Sequence, residues 1–519
     1  MKQKKWIDIL IIVSVTAFIM LFQLGKLPLL DPDEPVYAQT AIEMIANNDF
    51  ISPRIYGDFW YDKPPMYYWL VAGMIKLFGQ GEMAARLPSA ILAIVIVVAI
   101  YFVGKSIMGR RAALFSALIL ATSFEFFYLG KAAVTDITLT CFFSGVLLAY
   151  IKNKYSIMYI FMGLAVLTKG PIGIVLPGMI ICIHLLLTGQ IRKLLQLKML
   201  RGIVIVLLVS GPWYFMMYQL HGMDFINTFL GFHNITRFLE PEHASGVNWY
   251  YYIPVLILGF FPWTMYLVQA IKSGIQNRSS EEGKTVLFFI IWAMSVFIFF
   301  SISKTKLVSY ILPMYPAIAL LVGWYIDRLV TLELHKSFIR ATAVFIFLSI
   351  ALVTALTILS KETMGTVLPG IQYLGIVLGL MSVSVVISNY KKKNIYVFST
   401  LIIGMMMFVV VLMNHIFPAA AEFVSVKDIA NDFKLVYQDK KAPVYIEKFY
   451  RPGFCYYTSV AGKELPVKEV NSKLIDLIGK EDPAYFFIRE DKYLALSETE
   501  KAKLQVISRQ ADMMLVYKE

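Results

Sequence analysis

Three carboxylates stand within four residues of the stretch DPDEPVYAQT, at Asp31, Asp33 and Glu34. The stretch follows directly on the apolar run WIDILIIVSVTAFIMLFQLG. Like charges at this spacing repel, and partial burial beside a membrane sharpens the repulsion. Such a cluster either lies in free water or performs a task. The task open to a carboxylate is to take a proton from a nucleophile or to orient one. Aspartate is also a favoured helix cap, so capping of a helix that begins after Pro35 competes for Asp33. Three carboxylates exceed what one cap requires.

The elements that must position this cluster follow from composition. The chain has 519 residues, 58% of them hydrophobic and only 16% charged, where a large soluble protein carries about 25% charge. Apolar runs recur near 7–27, 87–104, 112–130, 134–151, 156–169, 171–189, 202–220, 249–271, 285–302, 308–330, 339–359, 370–390 and 395–416. Most approach the length a bilayer core demands. The pattern predicts a polytopic α-helical membrane protein with about 13 transmembrane helices. The first run is longer than a signal-peptide core of about 7–15 residues and has no small-x-small cleavage site after it, so it is expected to remain as a span. The fifth and sixth runs are short and separated by TKGPIG, which reads as a broken or re-entrant pair. Cys141, Cys182 and Cys455 lie far apart and form no disulfide framework.

Alternate loops are basic: KQKK at the start, then GKSIMGRR, IKNK, IRKLLQLK with Arg201, KSGIQNR, the stretch 328–340 and KKK at 391–393. The positive-inside rule assigns these loops to the cytoplasm. Much of the net charge of +13 is then a topology signal, with membrane lipid as its partner and no nucleic acid. Loops 28–86, 131–133, 221–248, 303–307 and 360–369 fall on the exoplasmic side, as does the C-terminal tail. Lys304 and Lys306, in the external turn SISKTKLVSY, break the charge rule, and a phosphate partner would explain them.

Within loop 28–86, residues 36–47 carry apolar positions every three or four residues, and MYYWLVAGMIKLF follows Pro64 and Pro65. Both segments read as helices lying in the interface, the second with aromatics at its front. From residue 425 the composition changes. VKDIANDFKLVYQ, KLIDLIG and ALSETEKAKLQ read as helices, while APVYIEKFY, PAYFFIRE and DMMLVYKE read as strands. The chain therefore divides into a transmembrane part, 1–420, and a small soluble α/β extracytoplasmic domain, 425–519.

The order DPDE-x-x-Y, DFISPRIYGDFWYDKPPMYYWL and ARLPSA resembles the bacterial aminoarabinose transferase family. That family is related to the protein O-mannosyltransferases within the C-type glycosyltransferases. Thr135-Asp136, LTKGPIG, PEH with WYYYIPVLILGFFPW, and SKTKLVSYILPMYPA follow in the same order over nearly the whole chain. The resemblance implies an inverting transfer of a sugar from a polyprenyl-phosphate donor to a lipid, glycan or protein acceptor, outside the membrane. A carboxylate would take the proton of a hydroxyl nucleophile, and cations would neutralise the leaving phosphate. It further implies Asp33, Asp136 and Glu34 as the catalytic carboxylates, Asp33 matching the family's own and Asp136 a second acidic position of the family. Lys63 in YDKPP resembles a lysine that contacts the donor phosphate, Tyr310 a tyrosine near the active site, and Arg86 lies in the matching ARLPSA. Asp62 and His243 occupy positions similar to those that bind a zinc ion, with Asp in place of the usual Glu and His233 as a possible further ligand.

Each of these residues has a plainer role available. Asp136 would cap the helix it starts, Lys63 and Lys169 would snorkel, and Arg86 would anchor a membrane edge. His243 would be a polar loop residue. One departure is specific: the family motif carries an arginine before the tyrosine, where this chain has Val36, so transfer to lipid A in particular does not follow. The rival from another class is a polyprenyl-linked lipid flippase or transporter. Against it, the polar residues crowd one external face and the spans show no inverted repeat.

Overall fold

The computed structural model describes residues 2–236, 248–278, 280–438, 441–465, 470–480 and 482–519. They form two compact units, Met1–Phe22 with Tyr61–Tyr67 and Arg86–Leu412, and Gln23–Trp60 with Tyr68–Ala85 and Met413–Glu519.

The first unit is helical. Among the described residues, seven helices are long and apolar enough to cross a membrane, and nine if two bent pairs each count once. Four shorter apolar helices, Trp6–Leu21, Asp136–Ile151, Tyr155–Lys169 and Ile172–Leu187, occupy the remaining runs expected to span. The helix Tyr315–Thr331 is buried along almost its whole length. It meets the helix Arg110–Thr122 at backbone range: a Cβ on Gly323 would come within 2.6 Å of the Ser116 nitrogen. Small residues at a crossing allow this approach where lipid supplies no hydrophobic drive.

The bends correct the sequence reading. The runs 112–130 and 249–271 were expected as continuous spans. The first instead turns by 62° between Thr122 and Phe124, and the second by 107° between Gly259 and Thr264. Pro262 brings no N–H to the second break. Backbone groups freed inside a membrane need partners, and the two breaks supply one another: Phe124 N donates to the Phe261 carbonyl at 3.2 Å, and Trp263 Nε1 to Thr122 Oγ1 at 2.9 Å. At TKGPIG the chain forms two separate helices joined at Gly170, whose φ of +75° suits glycine.

The second unit joins residues 23–60 and 68–85 to the C-terminal residues. The helix Asp33–Ala46 leads to a hairpin of β1 (Arg54–Ile55) and β2 (Asp58–Phe59), and Met66–Phe78 is also helical, as expected. Both turn residues, Tyr56 and Gly57, have positive φ, the backbone of a tight primed turn. Glu43 pins that turn by accepting Tyr56 N at 2.7 Å and Gly57 N at 2.9 Å.

The C-terminal part is a five-stranded mixed sheet in the order β4 (Lys463–Leu465), β3 (Val444–Glu447), β5 (Ala484–Arg489), β7 (Met513–Lys518), β6 (Leu504–Gln510). The first three strands are parallel and the last three antiparallel. Alternation in β5 sends Tyr485 and Phe487 into a core with Phe433 and Phe454, and Phe486 and Ile488 into a core with Leu474 and Ile478. The helices and strands read from 425 onward are present, with four additions: β4, β6 and the helices Arg451–Thr458 and Glu490–Leu494; β6 also takes Leu504 and Gln505 from the end of the run read as a helix. RPGFCYYT carries a Pro-Gly pair that reads as a turn, yet Pro452 sits at the helix start, where its missing N–H costs nothing.

Candidate active site

The three carboxylates of DPDE are sorted by burial. Asp33 opens the helix Asp33–Ala46, with Pro32 at the cap position, and its side chain is exposed. Asp31 is 5% exposed and Glu34 4%. Glu34 folds back so that Oε2 accepts Leu30 N at 2.9 Å. Asp31 turns into the α/β domain, where Oδ1 accepts Gly453 N at 2.8 Å and Oδ2 accepts Val426 N at 3.3 Å. Burial holds the Asp31 carboxyl well above the usual carboxylate range, against the opposing pull of those two N–H groups. Mutual repulsion is thus relieved by geometry, and Asp33 is the member that faces outward.

The first unit holds a second group. Asp136 begins the helix Asp136–Ile151, with Thr135 at the cap position making no side-chain cap bond. Its Oδ1 receives Lys169 Nζ at 2.9 Å, and the same ammonium lies 4.8 Å from the centroid of the Tyr310 ring. Lys63 Nζ stands 3.0 Å from both Asp62 oxygens, and Asp62 lies within electrostatic reach of Lys169. Asp62, Lys63, Asp136, Lys169 and Tyr310 therefore share one charged neighbourhood. Lys304 is exposed, whereas Lys306 is buried and donates to the Ser303 carbonyl. Burial lowers the Lys306 ammonium from its ordinary range. The pair expected to act together on a phosphate thus points two ways.

Arg86 is 4% exposed, so it is no loose membrane-edge anchor. It sits near the buried Lys131, whose Nζ donates to the carbonyls of Met20 at 3.2 Å and Phe22 at 2.6 Å. Burial, reinforced by Arg86, brings the Lys131 ammonium down to about 7.

Sequence reasoning missed Glu125. This residue is buried in the short helix Phe124–Gly130 after the first bend, where Tyr315 donates its hydroxyl to Oε2. A Cβ on Gly259, at the second bend, would collide with both groups. The only local signal is an acid inside an apolar run.

His243 lies outside the described residues, as does the His233 side chain. Among the described residues no three His, Cys, Asp or Glu side chains converge, and both Asp62 oxygens already accept from Lys63. The described residues alone do not fit a zinc ion.

Residues 62–215 match the family model of dolichyl-phosphate-mannose-protein mannosyltransferases. An uncharacterized protein of Aquifex aeolicus is 30% identical over 325 residues, 63% of this chain and 74% of its own length. The undecaprenyl phosphate-alpha-4-amino-4-deoxy-L-arabinose arabinosyl transferase of Edwardsiella ictaluri is 28% identical over 331 residues, 61% of this chain and 59% of that one. The chain thus spans less than two thirds of that relative. The crystal structure of ArnT from Cupriavidus metallidurans bound to undecaprenyl phosphate is similar with a TM-score of 0.81 at 21% identity, over 99% of this chain and 98% of the other. An Archaeoglobus fulgidus oligosaccharyltransferase gives 0.55 at 11% identity, over 93% and 70%. At these identities the structural likeness is one of fold, that of polytopic membrane glycosyltransferases. The relatives named here by activity are transferases, which lends the transport reading no support.

Proposed function

Since this chain belongs to the aminoarabinose transferase-like family of C-type membrane glycosyltransferases, we propose that it moves a sugar from a polyprenyl-phosphate donor to a lipid, glycan or protein acceptor. The acceptor oxygen attacks C1 and the bond from C1 to the phosphate oxygen breaks, with inversion at the anomeric carbon. The acceptor proton passes to the Asp33 carboxylate, and the polyprenyl phosphate leaves with the bonding pair.

The observation that carries this reading is the sorting of the DPDE cluster, which leaves Asp33 as the outward carboxylate. Glu34, turned back on Leu30, shapes the helix start beside it. Asp136 pairs with Lys169 and orients that ammonium. Lys63, Lys304, Lys306, Tyr310 and Arg86 are the candidates for the donor phosphate. A phosphate spread over several cations and a tyrosine hydroxyl is stabilised as its charge develops.

The chain would cross the cytoplasmic membrane thirteen times, counting the four shorter apolar helices and the bent pairs as spans. The charged loops support an exoplasmic active site, together with an exoplasmic α/β domain from residue 425. The missing arginine at Val36 argues for an acceptor other than one gripped by that cation.

The test uses purified protein in lipid nanodiscs, with radiolabelled polyprenyl-phosphate sugars and cell-envelope extract. Label should reach an acceptor with wild type and not with Asp33→Asn. Equal transfer by the variant would remove Asp33 from the mechanism. Labelled lipid that crosses the bilayer without transfer would overturn the enzyme reading.

A further inference from the structure

One short helix of the α/β domain touches the first external loop at several points. Gly453 N, in the helix Arg451–Thr458, donates to Asp31 at 2.8 Å. Tyr457, one turn further along, accepts Leu29 N at 2.7 Å and contacts Glu82 Oε1 at 3.3 Å. Lys427 from the preceding helix pairs with the same Glu82 oxygen at 2.6 Å. At the other end, the Arg451 guanidinium covers the Tyr56 ring at 4.0 Å, and Tyr56 is tied through Glu43 to the helix that Asp33 opens. The Asp31 backbone is held as well, its N–H donating to the Val424 carbonyl at 3.1 Å. The fit is close: a Cβ on Gly453 would fall on the Asp31 carboxylate.

We infer that the α/β domain is part of the catalytic apparatus, its helix Arg451–Thr458 gripping residues 29–31 so that Asp33 is held in place, with Asp31 and Tyr457 as positioning residues. The inference rests on Asp33 as the group that meets the acceptor. A carboxylate at the head of a helix, preceded only by a loop, would otherwise move with that loop. Fixing the chain two and four residues before it, on bonds to a folded domain, removes that freedom. A misplacement of about 1 Å can cost about 100-fold in rate, so a grip that makes no contact with substrate still acts on turnover. It also accounts for Asp31, which sits in the motif yet points away from its surface.

The test compares full-length Asp31→Asn, Tyr457→Phe and Gly453→Ala with wild type and Asp33→Asn, in nanodiscs. Three quantities are read: kcat and donor KM for sugar transfer, the folded fraction by thermal melt, and backbone hydrogen exchange over residues 29–34. The expected result is kcat lowered by about 10- to 100-fold at unchanged donor KM and full folded fraction, with faster exchange over 29–34. Unchanged kcat alongside faster exchange would overturn the inference, as would a loss of kcat that merely tracks the folded fraction. Unchanged exchange in all three variants would also overturn it. Full activity in Asp33→Asn would instead fail the assignment of Asp33, and the exchange data would still report whether the grip exists.

Discussion

Lys169 Nζ stands 2.9 Å from Asp136 Oδ1, and each residue occupies the helix end that suits its charge. Asp136 opens its helix, where the N-terminal dipole favours an anion, and Lys169 closes another, where the C-terminal dipole favours a cation. Their side chains are only 11% and 17% exposed, so neither is well placed to find water as a substitute.

The pair is therefore expected to behave as a unit. Asp136→Asn or Lys169→Met alone should cost about 3–5 kcal/mol by leaving one charge buried and uncompensated. The double variant Asp136→Asn with Lys169→Met should recover much of that stability. Denaturation midpoints in detergent check this, and sugar transfer should stay low in all three.

Among the DPDE carboxylates, Asp33→Asn should lower kcat by about 10²–10⁴-fold, the range for a lost general base. Glu34→Gln should retain most of the transfer, because a glutamine oxygen still accepts from Leu30 N. Steady-state transfer rates for the two variants, side by side, separate the outward carboxylate from the folded-back one.

The buried Asp31 predicts a pH dependence of known sign. Its folded carboxyl titrates above its unfolded value, so over that window the folded state binds the additional proton. Stability from this group is then present below the unfolded value of about 3.9 and is lost as pH rises through the folded one. Asp31→Asn lacks this slope. Asparagine can satisfy one of the two N–H donors but sets its own NH2 against the other, so the variant should be less stable at acidic pH. The gap in melting temperature between wild type and Asp31→Asn should narrow as pH rises.

At the paired bends, Gly259→Ala should destabilise the membrane part by about 1–3 kcal/mol, the usual cost of overpacking. The added methyl would meet both the Tyr315 hydroxyl and Glu125. Glu125→Gln keeps an acceptor for Tyr315 and should cost less. Melts of the two variants in one detergent decide the order.

The apolar helices and the strands β3, β5 and β7 were legible because each is a local pattern. Hydrophobic length and period-two alternation need no distant partner. The amphipathic helix at 36–47 was legible for the same reason, although it begins three residues earlier, at Asp33. The bends were not legible, because each break is completed by backbone and side-chain groups of the other, more than a hundred residues away in sequence. Glu125 gave no sign of its partner Tyr315, which lies 190 residues on.

The sequence by itself determined that three carboxylates follow the first apolar run, and that two lysines stand in the turn SISKTKLVSY. Only the tertiary structure decided which carboxylate faces outward. Asp31 and Asp33 are the same residue type two positions apart, and no local preference separates them. What separates them is Gly453, 422 residues distant, whose bare backbone N–H leaves room for one carboxylate to be buried and so leaves the other at the surface.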